Sequence, residues 1–412
     1  MAKALAADAV GVLPDDLLRE IFARVAPGVL DLIRCAGTCA RWFRLISCPA
    51  FLRRVGISPE NARHRASFLL GAFDRPDAIP LKIPKLRKKT KSDDPPRFFR
   101  LRAQQTGGER LTFTKFIPNK NGIFNYASPL TVHRGLLLVK RLTNDWRNLH
   151  LAVCHPLIGE RSTRLLPPPP QDLEPIGYHM TGYALVTASD HHAAGDLDHH
   201  PQLVFQVVFT TQCYYDKLEY VVSYCSVRDR WSPPIKCSQT FGLIRSGPCA
   251  GVVNGDIVYW LYRDKTNFYT LNITADATHV SLAKIPIQVK RGLPPPFPCI
   301  LEKGKLSFVH IRDKRILELW TKQEQDNDHS CEDMEGWVWS ELTPQQVEGI
   351  EILSFAESTC VVLVGQKERG RIFTLDLISN KMQQRGDNNH VLYEIDWPSY
   401  LFHLSAGSYE AQ

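Results

Sequence analysis

The sequence predicts an α+β, multi-domain fold in which a small three-helix segment precedes a larger all-β region. Two observations support this prediction. Apolar residues recur at helical spacing between residues 13 and 53, whereas beyond residue 97 short β-rich runs alternate with Gly, Asn, Asp and Pro. With 412 residues, of which 44% are hydrophobic and 10% aromatic, the chain can bury a large core.

The first predicted helix starts at Pro14, because the fixed φ and missing N–H of proline suit the first helical position. Asp15 and Asp16 then lie at the positive end of the helix dipole. Apolar residues form one stripe along this helix: Leu17, Leu18, Ile21, Phe22 and Val25.

A second helix is predicted from the N-cap Asp31 to Pro49, and Gly37 inside it costs about 1 kcal/mol relative to Ala. Its apolar positions are Ile33, Ala36, Cys39, Trp42 and Phe43. Ser47 can cap a last short turn that folds Phe51 and Leu52 back onto the first two helices. A segment this small rarely sustains its own core, so we expect another protein to cover the remaining apolar face.

In chain order these residues read Leu-Pro, Leu-Leu, Ile-Phe, Asp-Leu, Cys, Trp, Pro and Phe, and this order resembles an F-box without any gap. The resemblance implies binding to a Skp-type adaptor, which joins the chain to the cullin and RING subunits of a ubiquitin ligase. It assigns adaptor binding to ten residues: Leu13, Pro14, Leu17, Leu18, Ile21, Phe22, Leu32, Ile33, Cys39 and Trp42. Thr38 and Phe43 depart from the residues most frequent at their positions in that family.

The alternative for this segment is an ordinary helical hairpin that packs on the downstream region of the same chain. Any amphipathic helix offers an apolar stripe. Few such helices also have the Leu-Pro start and the finish from Trp42 to Pro49 at these distances, which favours the F-box interpretation.

The β-rich region contains a recurring unit of two strands joined by a polar turn. Five copies align on Cys154, Tyr224, Leu271, Leu319 and Leu375, which are 70, 47, 48 and 56 residues apart. The two longer intervals contain polar inserts, Asp190 to His200 and Gln323 to Gly336. A period near 48 residues falls in the range of propeller and kelch repeats, roughly 40 to 50 residues.

Several strands open after a glycine turn, at Gly135, Gly255 and Gly304, and Asn254-Gly255 is a strong hairpin signal. With a weaker unit between Ser67 and Phe124, the repeats predict a six-bladed β-propeller, and seven blades is the alternative.

The two-part layout resembles the F-box families of flowering plants, in which a kelch-like or F-box-associated β-propeller follows the F-box. This resemblance implies a non-catalytic substrate-recognition subunit of a Skp-cullin-F-box ubiquitin ligase, without a cofactor, that holds an unknown target protein on its propeller. The predicted domains are a disordered N-terminus at 1–12, an F-box at 13–55, a linker and basic loop at 56–96 that can include part of the first blade, and a propeller-like substrate-recognition domain at 97–412.

The formal net charge is +7, and one short run accounts for most of it. Residues 82–92 contain six basic residues and no acid: Lys82, Lys85, Arg87, Lys88, Lys89 and Lys91. A local run between prolines favours a solvated loop, and its Lys85 to Lys91 part is a candidate nuclear-import signal. Phosphate contact is a further alternative, in which the protein would be a nuclear nucleic-acid-binding factor.

The predicted compartment depends on the absence of a signal peptide and of a long apolar run from the sequence. Residues 1–12 are too short and too charged for a signal peptide, and no apolar run approaches about 18 residues, so we expect the cytoplasm, the nucleus or both and no membrane partner. The eleven cysteines include no Cys-x-x-Cys pair, which favours reduced, buried thiols over disulfides. Cys154, Cys213, Cys225 and Cys360 lie in strand-like apolar runs, and we expect them to pack as small hydrophobes.

Catalytic motifs are also missing from the sequence, which contains no phosphate loop, His-Glu-x-x-His or Gly-x-Ser-x-Gly. One polar insert has metal-binding residue types, although its Ala and Gly residues favour an unstructured tip over a metal site: Asp190, His191, His192, Asp196, Asp198, His199 and His200. A propeller-based enzyme or small-molecule receptor with a helical cap is the remaining alternative. Candidate target anchors are Trp146, Arg147, Tyr214, Tyr215 and Arg263. Residues of these types are more often packed in the fold or solvated than involved in binding.

Overall fold

The computed structural model describes two compact units, Met1–Leu70 with Ile395–Gln412 and Gly71–Glu394. The residues it describes are 13–25, 32, 35–36, 38–56, 69–74, 97–100, 110–112, 127–141, 150–156, 162–170, 180–187, 190, 204–213, 216–301, 304–312, 316–322, 337–342, 349–366, 371–386 and 390–395.

In the described part of the first unit, three helices have defined bounds: α1 (Asp15–Val25), α2 (Ala40–Ser47) and α3 (Pro49–Arg54). The Leu18 amide donates to the Pro14 carbonyl at 3.1 Å, so Pro14 precedes the first turn of α1. Among the described residues, no helix has the length and apolar composition needed to span a membrane.

The predicted continuous second helix is wrong. The Thr38 amide donates to the Cys35 carbonyl at 3.0 Å in a tight turn. Cys39 then has an extended backbone, with φ −160° and ψ 160°, and α2 begins only after it. The extended residue divides the segment into shorter helical pieces. A helical period that runs across it therefore no longer places its apolar positions on one face.

Ser47 is also not the predicted cap of the last turn. It is the final residue of α2, and its hydroxyl donates to the Arg44 carbonyl. The carbonyl of Cys48 instead accepts the Leu52 amide at 3.0 Å at the start of α3. Phe51 and Leu52 are buried, as the sequence predicts.

The second unit is an all-β propeller, whose strands form antiparallel sheets that we number 1 to 6. Sheet 1 contains β1 (Leu69–Asp74), β2 (Arg97–Arg100), β3 (Arg110–Thr112) and β26 (His390–Glu394). Sheet 2 contains β4 (Ala127–His133), β5 (Leu136–Arg141), β6 (His150–Cys154) and β7 (Arg164–Leu165). Sheet 3 contains β8 (Met180–Thr187), β9 (Phe205–Gln212), β10 (Glu219–Cys225), β11 (Arg230–Trp231) and β12 (Ile235–Cys237).

The remaining strands follow in the same way. Sheet 4 contains β13 (Ile244–Arg245), β14 (Val252–Asn254), β15 (Ile257–Arg263), β16 (Asn267–Thr274) and β17 (Val280–Gln288). Sheet 5 contains β18 (Phe297–Leu301), β19 (Lys305–Arg312), β20 (Ile316–Lys322) and β21 (Trp337–Leu342). Sheet 6 contains β22 (Ile350–Ala356), β23 (Val361–Gln366), β24 (Arg371–Asp376) and β25 (Lys381–Gly386). A short 3₁₀ helix, Ser238–Thr240, precedes β13.

The predicted repeat corresponds to sheets 2 to 6, each built from consecutive strands. The five aligned positions fall on equivalent strands, one in each sheet: Cys154 on β6, Tyr224 on β10, Leu271 on β16, Leu319 on β20 and Leu375 on β24. The predicted hairpin at Asn254-Gly255 is confirmed, since Gly255 has φ +59° between β14 and β15.

The count of six such blades needs correction, because the chain forms five blades of consecutive strands rather than six. The predicted weak unit near Ser67 to Phe124 supplies only β1 to β3 of sheet 1, and β26 from the far end of the chain pairs with β1. A terminal strand that joins a sheet at the other end of the chain leaves no local pattern for a repeat search to detect.

Apolar side chains fill the spaces between neighbouring sheets. Sheets 2 and 3 share a core that includes Val153 and Phe205, and sheets 3 and 4 share one that includes Trp260. Further cores join sheet 4 to sheet 5 and sheet 5 to sheet 6. β26 contacts β4 and β22, the first strands of its two neighbouring sheets. Burial of these faces supplies the main favourable term in folding.

The described cysteines are free thiols. Cys154, Cys213 and Cys360 are buried as predicted, whereas Cys225 is only half-buried. Cys225 is the last residue of β10.

Candidate functional site

The apolar stripe of α1 is divided into a buried and an exposed half. Leu18 and Phe22 are 2% and 1% exposed. Leu17 and Ile21, one turn apart, are 52% and 43% exposed. Two large aliphatic side chains on one helix face therefore remain in contact with water, in line with Pro14, which is also exposed.

Aromatic packing fixes the buried side of α1. The Phe22 ring meets the Trp42 ring edge-on, with centroids 5.1 Å apart, and the Phe51 ring at 6.5 Å. Pairs of this geometry contribute about 0.5–1.5 kcal/mol beyond their area burial. Leu45, Ile46 and Leu52 are also buried in this unit. The three helices thus hold one another through a small aromatic and aliphatic core.

Two ion pairs tie the helices together at the surface. The Arg41 guanidinium on α2 donates to the Asp15 carboxylate at 2.7 and 3.0 Å and to the Leu13 carbonyl at 2.6 Å. Arg54 on α3 pairs with Glu20 on α1. Exposed pairs contribute only about 0–1 kcal/mol each to stability.

The ten residues assigned to adaptor binding fall into several groups. Those that are exposed are Pro14, Leu17, Ile21 and Cys39; those that are half-buried are Leu13 and Trp42; those that are buried are Leu18, Phe22 and Leu32. Ile33 lies outside the described residues. Their role in adaptor binding stays a prediction, and the burial indicates which of them have side chains open to a partner.

Most residues of the other predicted sites lie outside the described part of the chain. Lys85, Arg87, Lys88, Lys89 and Lys91 lie outside the described residues, as do Trp146, Arg147, Tyr214 and Tyr215. Arg263, the remaining candidate anchor, is half-buried at the end of β15. Of the polar insert, only Asp190 is described, and among the described residues no group of three or more His, Cys, Asp or Glu side chains has an arrangement suited to a metal ion.

Asp190 belongs to a buried charged network in the propeller. Its carboxylate is hydrogen-bonded to His133 Nε2 at 2.7 Å and accepts a hydrogen bond from the Arg134 guanidinium at 2.7 Å. It also accepts hydrogen bonds from the Thr187 amide and hydroxyl at 2.7 and 2.8 Å. The other ring nitrogen of His133 lies 2.6 Å from a Glu357 carboxylate oxygen. The network therefore links side chains attached to sheets 2, 3 and 6.

The charges in this network compensate one another. Burial lowers the pKa of His133, but the Glu357 and Asp190 carboxylates outweigh burial and raise that pKa to about 10. Burial raises the pKa of Asp190, but His133 and Arg134 more than offset it and hold that pKa below its ordinary value. His133 is thus a cation between two carboxylates at neutral pH.

Hydrogen bonds hold the terminal strand β26 close to this network. The Glu394 carboxylate accepts the Ser358 and Thr359 amides at 2.8 and 2.7 Å, and the Tyr393 hydroxyl donates to the Gly135 carbonyl at 3.3 Å. Burial raises the pKa of Glu394 to about 7, although the bonds from Thr359 and Ser358 oppose it. These contacts connect sheet 1 to the turns of sheets 6 and 2.

A second buried network lies between sheets 3 and 4. The Arg245 guanidinium donates to the Thr210 hydroxyl at 3.0 Å, the Tyr262 hydroxyl at 3.2 Å and the Cys249 carbonyl at 3.4 Å. It also lies about 5.5 Å from the Trp260 ring centroid. Glu219, 1% exposed, accepts a bond from Thr181, and burial raises its pKa despite the nearby Arg245 charge.

Sequence reasoning missed both networks. The signal that could have found them is a charged or polar residue inside an otherwise apolar strand or directly after one, as for His133, Glu219 and Glu394. Buried charges are rare unless they are paired, so each such residue predicts a partner from elsewhere in the chain. The local sequence pattern does not predict which residue that partner is.

Comparison with known protein families assigns a class to the N-terminal helical segment. Residues 10–58 match a family model described as F-box-like. The chain therefore carries an F-box-like domain followed by a β-propeller. No curated protein sequence matches it.

Solved structures show only distant similarity. The chain is 8% identical to TolB from Acinetobacter baumannii, with a TM-score of 0.44, and the match covers 79% of this chain and 65% of TolB, less than two thirds of its length. For the nidogen/laminin complex the identity is 11% and the TM-score 0.40, covering 79% of this chain and 96% of that one. For the Dos1 propeller the values are 10% and 0.35, covering 73% and 70%. At these scores the similarities carry no functional argument.

Proposed function

We propose that this protein is the substrate-recognition subunit of a Skp-cullin-F-box ubiquitin ligase. The observation that carries the proposal is the division of the α1 stripe within the F-box-like segment, where Leu18 and Phe22 are buried while Leu17 and Ile21 are exposed. A Skp-type adaptor that covers Leu17 and Ile21 removes two half-exposed side chains from water. That burial stabilises the complex by roughly 2–3 kcal/mol.

In this proposal the chain positions other proteins and forms no covalent bond itself. The adaptor joins it to cullin and RING subunits, and the propeller holds a target protein. Tethering raises the effective concentration of target lysines near the ubiquitin-loaded enzyme, so transfer needs no catalytic group from this chain. Loops at the ends of the propeller strands would carry target recognition.

We assign the propeller, as a further part of the proposal, to the kelch-like or F-box-associated type found in flowering-plant F-box families. Sheets of four or five antiparallel strands that follow an F-box-like segment support this assignment. The ligase would work in the cytoplasm, the nucleus or both.

Reconstitution tests the proposal directly. The full chain is co-expressed with a Skp-type adaptor and then mixed with cullin and RING subunits, and complex formation is followed by size-exclusion chromatography. We expect a stable complex that contains all four proteins and transfers ubiquitin to proteins captured with the chain from cells. Absence of an adaptor complex under conditions where a known F-box protein forms one would refute the proposal.

A further inference from the structure

An exposed apolar and basic surface lies at one end of sheet 4. Phe241 and Ile244, just before and at the start of β13, are 78% and 61% exposed. We call the surface formed by these two residues and four neighbouring cations the sheet-4 end. The cations are Arg263, Lys265, Lys290 and Arg291, of which Arg263 is half-buried and the others are exposed.

Strand pairing and chain adjacency place these residues at the same end of sheet 4. Ile244 is the Cα partner of Arg263 across β13 and β15. Lys265 lies in the following turn, and the Val289 amide donates to the Thr266 carbonyl at 2.9 Å, which places Lys290 beside that turn. The sheet order β13-β15-β16-β17 spans three strand spacings, roughly 14 Å, about the length of four or five extended residues.

Among the described residues, the sheet-4 end carries four cations and one acid. None of its four cations forms a salt bridge within the described part of the chain. The single acid there, Asp264, accepts the Thr266 and Asn267 amides at 2.6 and 2.7 Å and the Tyr269 hydroxyl at 2.8 Å. These bonds hold the pKa of Asp264 below its ordinary value and direct its carboxylate into its own turn.

The backbone beneath the sheet-4 end is well fixed. Arg245, next to Ile244, is held by Thr210 and Tyr262, and the Leu243 amide donates to the Thr240 carbonyl at 3.0 Å. Phe241 and Ile244 are therefore presented from an ordered framework. A rigid framework that exposes an aromatic and a β-branched side chain loses little conformational entropy when a partner covers them.

We propose that the sheet-4 end binds an acidic peptide segment that carries a bulky apolar side chain, and that this segment belongs to the target protein of the proposed ligase. The four cations match carboxylates, and Phe241 and Ile244 match the apolar side chain. The inference rests on the proposed function for the identity of the peptide as a target. A nucleic acid could stack a base on Phe241 but would leave the exposed Ile244 without a stacking partner, so it is the alternative that the test below distinguishes.

Binding of labelled peptides to the full chain, with and without a Skp-type adaptor, tests the inference by fluorescence anisotropy. The probe is a peptide of about twelve residues, rich in Glu with a central Trp-Leu pair. Comparison probes replace Glu by Lys, replace Trp-Leu by Gly-Ser, or are a single-stranded oligothymidylate. We expect only the Glu and Trp-Leu peptide to bind well, with an affinity that falls as salt rises.

Two variants locate the binding site. The triple change Arg263→Glu, Lys265→Glu and Lys290→Glu should weaken binding of the acidic peptide by at least about tenfold, and Phe241→Ser with Ile244→Ser should do so by a similar factor. The control is Arg228→Glu with Arg230→Glu, which reverses two exposed cations of the β10–β11 hairpin, Arg228 in the turn and Arg230 at the start of β11. This control should bind the peptide as the unchanged protein does.

The results separate the two proposals. Equal binding by the triple variant and the control, tighter binding of oligothymidylate, or no peptide binding overturns the inference. Adaptor binding is measured in the same samples and depends on α1 rather than on sheet 4. A chain that binds the adaptor but no acidic peptide therefore refutes the inference alone, whereas one that binds the peptide but no adaptor refutes the ligase proposal.

Discussion

The double change Leu17→Asp and Ile21→Asp should abolish adaptor binding while leaving the fold intact. Fully burying a Leu or Ile side chain contributes about 1.5–3 kcal/mol, so two half-exposed side chains contribute roughly 2–3 kcal/mol to the interface. Each aspartate placed there adds the cost of an unpaired buried carboxylate, at least about 1 kcal/mol. The expected loss of at least about 4 kcal/mol corresponds to roughly a thousandfold weaker binding.

The helix itself should tolerate both changes. Leu17 and Ile21 are 52% and 43% exposed, and exposed substitutions usually change stability by less than about 0.5 kcal/mol. An aspartate at position 17 also lies close to the positive end of the α1 dipole. Folding of the variant is checked by thermal unfolding followed by circular dichroism.

Isothermal titration calorimetry with a Skp-type adaptor measures the effect. The matched control is Arg19→Glu, which makes the same change in net charge on the same helix but on a face turned roughly 160–200° away from Leu17 and Ile21. We expect the control to bind within about threefold of the unchanged protein. Equal affinities for the double variant and the control would refute the assignment of this face to the adaptor.

Four further predictions concern other parts of the chain. Phe22→Ala should destabilise the helical unit by about 3–5 kcal/mol, because Phe22 packs between the Trp42 and Phe51 rings, and faster hydrogen exchange of α1 amides would show it. The raised pKa of Glu394, about 7 against 4.5 for the free group, means that the folded state holds this proton more tightly; stability should therefore fall by on the order of 3 kcal/mol as pH rises from 4.5 to 7, and Glu394→Gln should flatten that part of a pH series of melting temperatures. A truncation that begins at residue 97 removes β1 and should unfold at a lower temperature than one that begins at residue 61, since β26 would lose the strand with which it pairs. Replacing Lys85, Arg87, Lys88, Lys89 and Lys91 by Gln should reduce nuclear accumulation of a fluorescent fusion protein, and unchanged nuclear fluorescence would argue against an import signal in that run.

The helical segment and the repeated blades were predictable because their signals are local. The α1 stripe follows from residues three or four apart, and the blades follow from strands and turns that recur within about 50 residues. Leu18 and Leu17 are adjacent in the same stripe, however, and the sequence does not distinguish the buried one from the exposed one. That difference depends on where Trp42 and Phe51 pack, which is set by the paths of α2 and α3.

The closure of the propeller was not predictable for the same physical reason. Glu394 and Tyr393 look like ordinary strand residues, yet their partners are the turn amides at Ser358 and Thr359 and the Gly135 carbonyl. His133 likewise joins Asp190 to Glu357, which lies 224 residues away in the chain. Removing one member of such a network leaves a buried charge uncompensated, which costs far more than an exposed ion pair contributes. We infer that the network at β26 fixes the register of the terminal strand, since a one-residue slip would turn Glu394 away from the Ser358 and Thr359 amides and leave those donors without their carboxylate.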